Sequence, residues 1–302
     1  LKGDNIKLGG HSLTVLELVR KIYMNIRVEI PIRVVFEKPT IEGMAPEILR
    51  PIFEKNNRNP IMKLNEHGHV NVFCFPPAIG HGMAYIELAK LLENHCVTYG
   101  IDFIDEYTND EDLMEQYVKI VTDVQDKQPY VFLGYSLGGN LAFEVAKAME
   151  LKGYMVSDII MLDSIKRNGA SEFSEDEAVK QVDALLEDMP EQYKHFVTPT
   201  FTHKIYSYAK YRDQLVNTGS VQANIHELIA KDSTKLNSEE GNCLSWRQAT
   251  RSNYSEHQAK GIHEEMLDPE MIEENAKLVR HIVQKIIDET YAVSAHSTDR
   301  LR

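Results

Sequence analysis

Residues 130–140 read Tyr-Val-Phe-Leu-Gly-Tyr-Ser-Leu-Gly-Gly-Asn, and this stretch decides the fold. The apolar run at 131–133 is typical of a buried central strand. Residues 134–138 then match the pattern G-x-S-x-G, and residues 140–149 carry apolar side chains at helical spacing. A strand, this turn and a helix in succession predict a nucleophile elbow, which lifts the Ser136 hydroxyl above the sheet edge at the positive end of the helix. The alternative, a glycine-rich turn in which Ser136 only caps the helix, fits the full context less well.

Composition and charge exclude several classes of function. The 302 residues include 33 Lys plus Arg and 46 Asp plus Glu, which gives a net charge of −13. This balance repels a phosphate backbone, so nucleic-acid binding is not expected. Cys74, Cys96 and Cys243 form no C-x-x-C pattern and predict neither a disulfide framework nor a zinc site. The sequence shows no signal peptide and no long apolar stretch, which predicts a cytoplasmic protein without a membrane partner. Because it begins at Leu1, we expect a piece of a longer protein.

From residue 70 onward, strand-like and helix-like segments alternate along the chain. Alternation of this kind predicts a mostly parallel sheet with helices on both faces. Together with an elbow after a central strand, it predicts an α/β-hydrolase fold. The predicted strands are 70–75, 97–103, the elbow strand, 159–162, 223–230 and 254–261, and the predicted helices are 82–93, 111–124, 140–149 and 271–287.

The stretch 164–222 interrupts the alternation, because it contains no convincing strand. Residues 174–177, Ser-Glu-Asp-Glu, form a capping box that predicts the start of a helix, and Tyr208, Tyr211 and Leu215 repeat at helical spacing. Helices inserted here would lie over the carboxyl ends of the strands, where α/β proteins bind ligands. A lid over the substrate and a purely structural cap both fit, and the length of the insertion favours the lid.

A serine hydroxyl needs a base and an orienting acid to act as a nucleophile at neutral pH. His263 is the predicted base that would activate Ser136, because it lies between the last predicted strand and the closing helix, in a loop at the catalytic edge. Other histidines fit less well. His226 and His257 fall within predicted strands, and His281 falls within the last helix.

Two aspartates compete for the role of the acid. Asp163 directly follows the strand at 159–162, and Asp232 follows a later strand, at the position that many hydrolases use. Spacing alone leaves both open, with Asp163 ahead. Lys166 and Arg167, just beyond Asp163, either meet acidic side chains of a substrate or form a solvated pair.

The pattern of residues 1–48 predicts a small helical region of their own. Leu8-Gly9-Gly10-His11-Ser12-Leu13 predicts a turn, and apolar residues at helical spacing follow it. Ser12 is either the N-cap of that helix or the carrier of a phosphate ester, which the exposed amides and the helix dipole would stabilise. Residues 50–69 predict a linker, in which His67-Gly68-His69 is an exposed loop rather than a metal site.

Both halves of the chain resemble domains of nonribosomal peptide synthetases. Residues 8–13 and 28–44 are similar to a peptidyl carrier domain, and this resemblance implies that Ser12 carries 4′-phosphopantetheine. Residues 70–289 are similar to the terminal thioesterase domains of the surfactin, tyrocidine and gramicidin S type of synthetase. The motifs that carry this second resemblance are Phe75-Pro76-Pro77-Ala78, residues 134–139, Met161-Leu162-Asp163-Ser164, Tyr206-Ser207-Tyr208 and Gly261-Ile262-His263-Glu264-Glu265-Met266-Leu267.

The resemblance implies a catalytic triad of Ser136, Asp163 and His263, since in this family the acid follows the strand after the nucleophile helix. It also implies an oxyanion hole. The Leu137 amide, directly after the nucleophile, is one expected donor. The other is expected from the loop after the first strand, where Ala78 follows two prolines and is the first residue with an N–H group.

The sequence therefore predicts release of a finished peptide from a phosphopantetheine arm by acyl transfer to Ser136, followed by macrocyclisation. The alternatives are hydrolysis to a linear acid, a stand-alone editing thioesterase or esterase, and a non-enzymatic scaffold with a relic triad. The implied partners are a peptidyl thioester substrate, upstream synthetase modules and a phosphopantetheinyl transferase. The predicted domains are an N-terminally truncated carrier at 1–49, a linker at 50–69, a thioesterase domain at 70–290 with a lid at about 164–222, and a tail at 291–302.

Overall fold

The computed structural model describes residues 60–170, 199–233 and 246–299, with single positions at 34–44 and at 180. The chain divides into two compact units, Pro60–Ala178 with Lys204–Arg302, and Leu1–Asn59 with Val179–His203. The sheet and the candidate site belong to the first of these units. The predicted attachment residue Ser12 and the capping box at 174–177 lie outside the described residues.

Within the described residues, seven strands form one sheet in the order β1-β3-β2-β4-β5-β6-β7. β1 pairs antiparallel with β3, and every other pair is parallel. The strand order reverses beside β2, because the chain passes from β2 to β3 on one side and then crosses to β4 on the other. Ligands of α/β proteins bind at such a reversal, outside the carboxyl ends of the strands. The strands are β1 Ile61–Lys63, β2 Val70–Phe75, β3 Cys96–Ile101, β4 Tyr130–Tyr135, β5 Val156–Leu162, β6 Asn224–Ile229 and β7 Tyr254–Gln258.

Helices connect the strands and cover both faces of the sheet. Short 3₁₀ segments at Gly82–Tyr85, Trp246–Ala249 and His263–Glu265 accompany them. The described α-helices are α1 Ile86–Leu91, α2 Asp110–Val124, α3 Leu137–Leu151, α4 Pro199–Gln214 and α5 Ile272–Asp299.

Two apolar clusters, one on each face of the sheet, hold the helices in place. Successive side chains of a strand point to opposite faces, so Phe73 and Phe75 of β2 pack with α2 and α3. Val72 and Cys74 of the same strand pack with α1 and α5 on the other face. Burial on both faces is why the central strands contain almost continuous apolar runs.

The predicted α/β-hydrolase architecture is confirmed, and the differences from prediction are one additional short strand and shifted ends of other elements. β1 lies inside the range predicted as a linker. Its three residues are too few to show the alternation of a strand in the sequence, and its antiparallel hydrogen bonds with β3 hold it as a strand. α5 begins near the predicted start but runs to residue 299 rather than 287, because residues 288–299 contain no Gly or Pro that would end it. The helix predicted at 82–93 begins with a 3₁₀ turn, as is common at helix starts.

The predicted insertion at 164–222 is described in part. The helical spacing of Tyr208 and Tyr211 is confirmed, because both lie in α4. Residues 171–179 and 181–198 lie outside the described residues, so the action of this region as a lid stays a prediction.

Two of the three cysteines lie in the core. Cys74 and Cys96 are both buried and unpaired by disulfides. Burial raises the pKa of the Cys96 thiol to about 12, so neither chemistry nor metal binding is expected there. Cys243 lies outside the described residues. Among the helices that the structure describes, none has the length and apolar character to cross a bilayer.

Candidate active site

The elbow between β4 and α3 presents Ser136 at the carboxyl edge of the sheet. Ser136 has φ 54° and ψ −127°, in the left-handed half of the Ramachandran map, and its N–H donates to Leu162 O at 2.8 Å. A Cβ atom on Gly134 would lie 2.2 Å from the carbonyl carbon of Gly138, and one on Gly138 would lie 2.3 Å from Phe75 O. Only glycine fits at these two positions, which explains both glycines of the motif.

The structure brings Ser136, His263 and Asp163 together from three separate segments. His263 Nε2 lies 3.0 Å from Ser136 Oγ, and His263 Nδ1 lies 2.6 Å from Asp163 Oδ2. The two ring nitrogens therefore face different partners. This arrangement allows the ring to accept a proton from the serine while its other N–H donates to the carboxylate.

Asp163 is buried and held by several donors. Its Oδ1 accepts hydrogen bonds from Ala230 N at 2.9 Å and from the Ser233 hydroxyl. Burial acts to raise the pKa of this carboxyl, but the hydrogen bonds from His263, Ser233 and Ala230 outweigh it and lower the pKa below its ordinary value. Asp163 is therefore ionised at neutral pH and oriented toward the imidazole.

His263 is fixed on several sides. Tyr135 places its ring 5.2 Å from the imidazole and donates its hydroxyl to His263 O at 2.5 Å. The hydrogen bond with Asp163 raises the pKa of His263, against the opposing effect of burial. Asp232, the competing candidate for the acid, accepts from the backbone N–H of His263 at 3.0 Å through its Oδ1. In this structure, the carboxylate at the ring is that of Asp163.

The two predicted oxyanion donors lie on neighbouring segments. Leu137 is the first residue of α3, and Ala78 lies in the turn after β2, where Gly80 N donates to Pro77 O at 2.8 Å. The start of α3 is in close contact with this turn, because a Cβ on Gly138 would lie 3.0 Å from Pro76 O. This places both segments beside Ser136.

Lys166 does not belong to a solvated pair. Its side chain is buried, and its Nζ donates to Asn217 O at 2.7 Å. Arg167 Nε donates to Leu215 O at 3.4 Å. Burial lowers the pKa of Lys166. Both side chains fasten the segment after β5 to the segment after α4, a role that their sequence position did not indicate.

Two of the histidines that were set aside, His226 and His257, take part in a second hydrogen-bonded cluster, on the sheet face covered by α5. His226 Nε2 lies 2.9 Å from Asp158 Oδ1, and its Nδ1 lies 2.8 Å from Ser255 Oγ. Ser255 Oγ is also 3.1 Å from His257 Nε2. We call Asp158, His226, Ser255 and His257 the sheet-face cluster.

The histidines of the predicted linker make no metal site with other described residues. His67 Nδ1 pairs with Glu93 Oε1 at 2.8 Å on the surface. Among the residues that the structure describes, no group of His, Cys, Asp and Glu has the arrangement needed to hold a metal ion.

Sequence reasoning missed three residues that shape this site. Ser233 donates to Asp163, Tyr135 donates to His263 O, and Tyr85 joins the ends of β2 and β4. Tyr135 stands inside the G-x-S-x-G motif, so its place beside the nucleophile was visible, but its contact with His263 was not. No sequence signal marks Ser233 or Tyr85.

Comparison with known families gives the site its context. A family model described as a thioesterase domain matches residues 70–286. The chain belongs to the thioesterase family. A second model, described as a phosphopantetheine attachment site, matches residues 6–47 of this thioesterase chain.

Relatives of this thioesterase are peptide synthases. The chain is 40% identical to a mycosubtilin synthase protein of Bacillus subtilis, over 95% of this chain and 11% of that protein. It is 35% identical to tyrocidine synthase 3 of Brevibacillus parabrevis, over 93% of this chain and 4% of that protein. The chain thus spans only a small part of either relative.

Among solved structures, the chain is similar to the thioesterase domain described as cyclising the lipopeptide antibiotic surfactin. The TM-score is 0.65 at 29% identity, over 74% of this chain and 96% of that one. The predicted resemblance to terminal thioesterase domains of peptide synthetases, and the predicted phosphopantetheine carrier sequence, are confirmed.

Proposed function

We propose that this thioesterase releases a finished peptide by acyl transfer to Ser136 and closes it into a macrocycle. The observation that carries the proposal is the pair of contacts at the His263 ring, 3.0 Å to Ser136 Oγ and 2.6 Å to Asp163 Oδ2. It gives the serine a base and gives the base an orienting acid, as nucleophilic acyl transfer requires.

Acylation begins when Ser136 Oγ attacks the thioester carbonyl of the substrate and His263 Nε2 takes the hydroxyl proton. Ionised Asp163 stabilises the imidazolium that forms. The negative charge on the former carbonyl oxygen is stabilised by the Leu137 and Ala78 amides, in the role of an oxyanion hole. When the tetrahedral intermediate collapses, the C–S bond breaks and His263 gives its proton to the departing thiolate.

Deacylation uses the same residues. An amine or hydroxyl group of the bound peptide attacks the Ser136 ester, and His263 Nε2 accepts the proton that this nucleophile loses. The C–O bond to Ser136 then breaks, and the serine oxygen takes the proton from His263. The similarity to the surfactin-cyclising domain supports an internal nucleophile over water.

The attachment sequence at 6–47 supports a substrate held on a carrier in the same chain. Ser12 is the proposed attachment residue, and the phosphopantetheine on it supplies the thiol that presents the peptide as a thioester. A phosphopantetheinyl transferase would load Ser12, and upstream synthetase modules would deliver the peptide. A carrier in front of the thioesterase argues against a stand-alone editing enzyme or an esterase.

The stretch 164–222 is proposed to act as the lid that favours ring closure. The Tyr208 hydroxyl, on α4 within this stretch, donates a hydrogen bond to Pro76 O at 2.9 Å. Pro76 lies in the loop that carries Ala78. The region therefore contacts the site itself. Holding the two reacting ends of a peptide together contributes up to about 7–11 kcal/mol relative to a bimolecular attack.

Product analysis tests the proposal. The protein is given linear peptidyl thioesters that carry a free N-terminal amine or a side-chain hydroxyl, and the products are weighed. We expect a mass one water lower than that of the free acid, and no product with Ser136→Ala. Free acid alone across these substrates would replace macrocyclisation by hydrolytic release, and turnover by Ser136→Ala would overturn the serine mechanism.

A further inference from the structure

A buried tyrosine hydroxyl joins two strands at the point where they separate. The pairing of β2 with β4 ends at Phe75 and Gly134. Just beyond it, the Tyr85 hydroxyl donates to Phe75 O at 2.6 Å and accepts from Tyr135 N at 2.8 Å. One hydroxyl group thus uses its proton on one strand and a lone pair on the other.

Tyr85 is well placed to keep both bonds. Its side chain is fully buried at the end of the 3₁₀ segment Gly82–Tyr85, within the cluster that α1 and α5 form. Burial raises the pKa of the phenol well above its ordinary value, so the hydroxyl keeps its proton at any working pH. A buried hydroxyl with two short bonds to backbone groups has little freedom to move.

The two backbone groups that Tyr85 joins lead directly to the two proposed oxyanion donors. Phe75 is followed by the two prolines and Ala78, and Tyr135 is followed by Ser136 and Leu137. The distance between the two segments therefore sets the distance between the two donor amides. The Tyr208 hydroxyl bonds to the first segment at Pro76 O, and Leu162 O accepts from the second at Ser136 N, whereas the Tyr85 hydroxyl bonds to both.

We propose that Tyr85 is a positioning residue that sets the spacing of the oxyanion hole, an inference that rests on the proposed function. Oxyanion donors act by being held in advance about 2.7–3.1 Å from the oxygen that becomes charged. Displacement by about 1 Å costs on the order of 100-fold in rate. Loss of the Tyr85 hydroxyl leaves Phe75 O and Tyr135 N without this link, and the two segments are free to shift.

The test is Tyr85→Phe, which removes one oxygen and keeps the ring. We expect kcat for a peptidyl thioester to fall by about 10- to 100-fold. KM should stay unchanged, because the hole acts on the transition state rather than on the bound substrate. The acid limb of the kcat/KM profile should stay at the wild-type pH, since His263 and Asp163 keep their contacts.

Tyr117→Phe is the matched control. The Tyr117 hydroxyl is also fully buried and also joins two backbone groups, accepting from Ile104 N at 3.0 Å and donating to Asp102 O at 3.3 Å. Its hydroxyl bonds to neither Phe75 nor Tyr135, and the edge-to-face packing of its ring on Phe75 is kept when tyrosine is replaced by phenylalanine. We expect a similar loss of thermal stability from the two variants, but wild-type kcat from Tyr117→Phe.

The possible outcomes distinguish a failure of the proposed role of Tyr85 from a failure of the proposed function. Wild-type kcat in Tyr85→Phe, or an equal fall in kcat in Tyr117→Phe, would overturn the role of Tyr85 while leaving an inactive Ser136→Ala, and hence the proposed function, intact. Full activity in Ser136→Ala would overturn both. If Tyr85→Phe does not fold, 3,5-difluorotyrosine at position 85 keeps the shape but accepts more weakly from Tyr135 N. We expect kcat to fall when 3,5-difluorotyrosine replaces Tyr85 but not when it replaces Tyr117. Equal kcat values for these two proteins would contradict the proposal.

Discussion

The described part of the chain contains two Asp–His–Ser arrangements with nearly the same distances and different backbone surroundings. At the carboxyl edge, His263 lies 2.6 Å from Asp163 and 3.0 Å from Ser136. In the sheet-face cluster, His226 lies 2.9 Å from Asp158 and 2.8 Å from Ser255. By residue type and distance alone, each would pass as a catalytic triad.

The backbone around each serine makes the difference. Ser136 stands in a tight turn at the N-terminus of α3, next to the loop that carries Ala78, a proposed oxyanion donor. Ser255 lies inside β7, and its hydroxyl is shared between the rings of His226 and His257. The comparison teaches that these three side chains are expected to give a nucleophile only where the backbone also holds the serine in a tight turn beside donors for the oxyanion.

The largest expected effect separates the two serines. Ser136→Ala should lower turnover of a peptidyl thioester by about 10⁶-fold, if this triad behaves like those already dissected. Ser255→Ala should leave turnover close to wild type, because no substrate reaches it in the proposed mechanism. A fluorophosphonate probe, followed by peptide mapping, should label Ser136 only. Labelling of Ser255 would mean that the sheet-face cluster is also reactive.

Substitution of the two aspartates should likewise affect kcat very differently. Asp163→Asn should lower kcat by up to about 10⁴-fold, because an amide favours the wrong tautomer of His263. Asp158→Asn should change kcat little, since its partner His226 takes no part in the reaction. Thioester hydrolysis or cyclisation rates measure both variants. Equal losses would contradict the distinction between the two regions.

Asp232 offers a finer test within the catalytic region. Asp232→Asn keeps an oxygen that can accept from the His263 N–H, so it should cost much less than Asp163→Asn. Steady-state rates of the two variants on one thioester give the order. The reverse order would make Asp232 the acid.

The smallest expected effect is a shift along the pH axis. The base must be neutral, so kcat/KM should rise with pH through the pKa of His263, which Asp163 raises above the ordinary histidine value of about 6.5. Removing the carboxylate charge in Asp163→Asn should move this acid limb to lower pH. His226→Gln should leave it in place. A limb that moves with His226 would link the sheet-face cluster to catalysis.

Much of the site could be predicted because its residues sit at fixed places in a repeating pattern. Strands alternating with helices identify the carboxyl edge. Ser136 and Asp163 each directly follow an apolar strand, and His263 lies in the loop after β7. Residues at that edge converge whatever the intervening loops contain, so their closeness did not require knowledge of the packing.

The rest could not be predicted, because it depends on contacts between distant segments. Tyr85 meets Tyr135 across fifty positions, and Ser233 meets Asp163 across seventy. Nothing in the local sequence of Tyr85 or Ser233 records such a partner. The sheet-face cluster arises from the register of three strands, and Lys166 is buried by a segment that returns fifty residues later.

The positive φ of Ser136 has a consequence for the stability of the fold. A residue with a Cβ atom in this region of the map carries conformational strain of about 1–3 kcal/mol, which glycine avoids. Part of that relief is lost because glycine gives the unfolded chain more freedom, an opposing effect of about 0.5–1 kcal/mol. The free energy of unfolding of the Ser136→Gly variant should therefore be about 1 kcal/mol higher than that of Ser136→Ala, both being inactive. A denaturant titration would measure the difference. The proposed nucleophile is therefore held in a conformation that lowers the free energy of unfolding of the domain, and burial in the two apolar clusters offsets this loss.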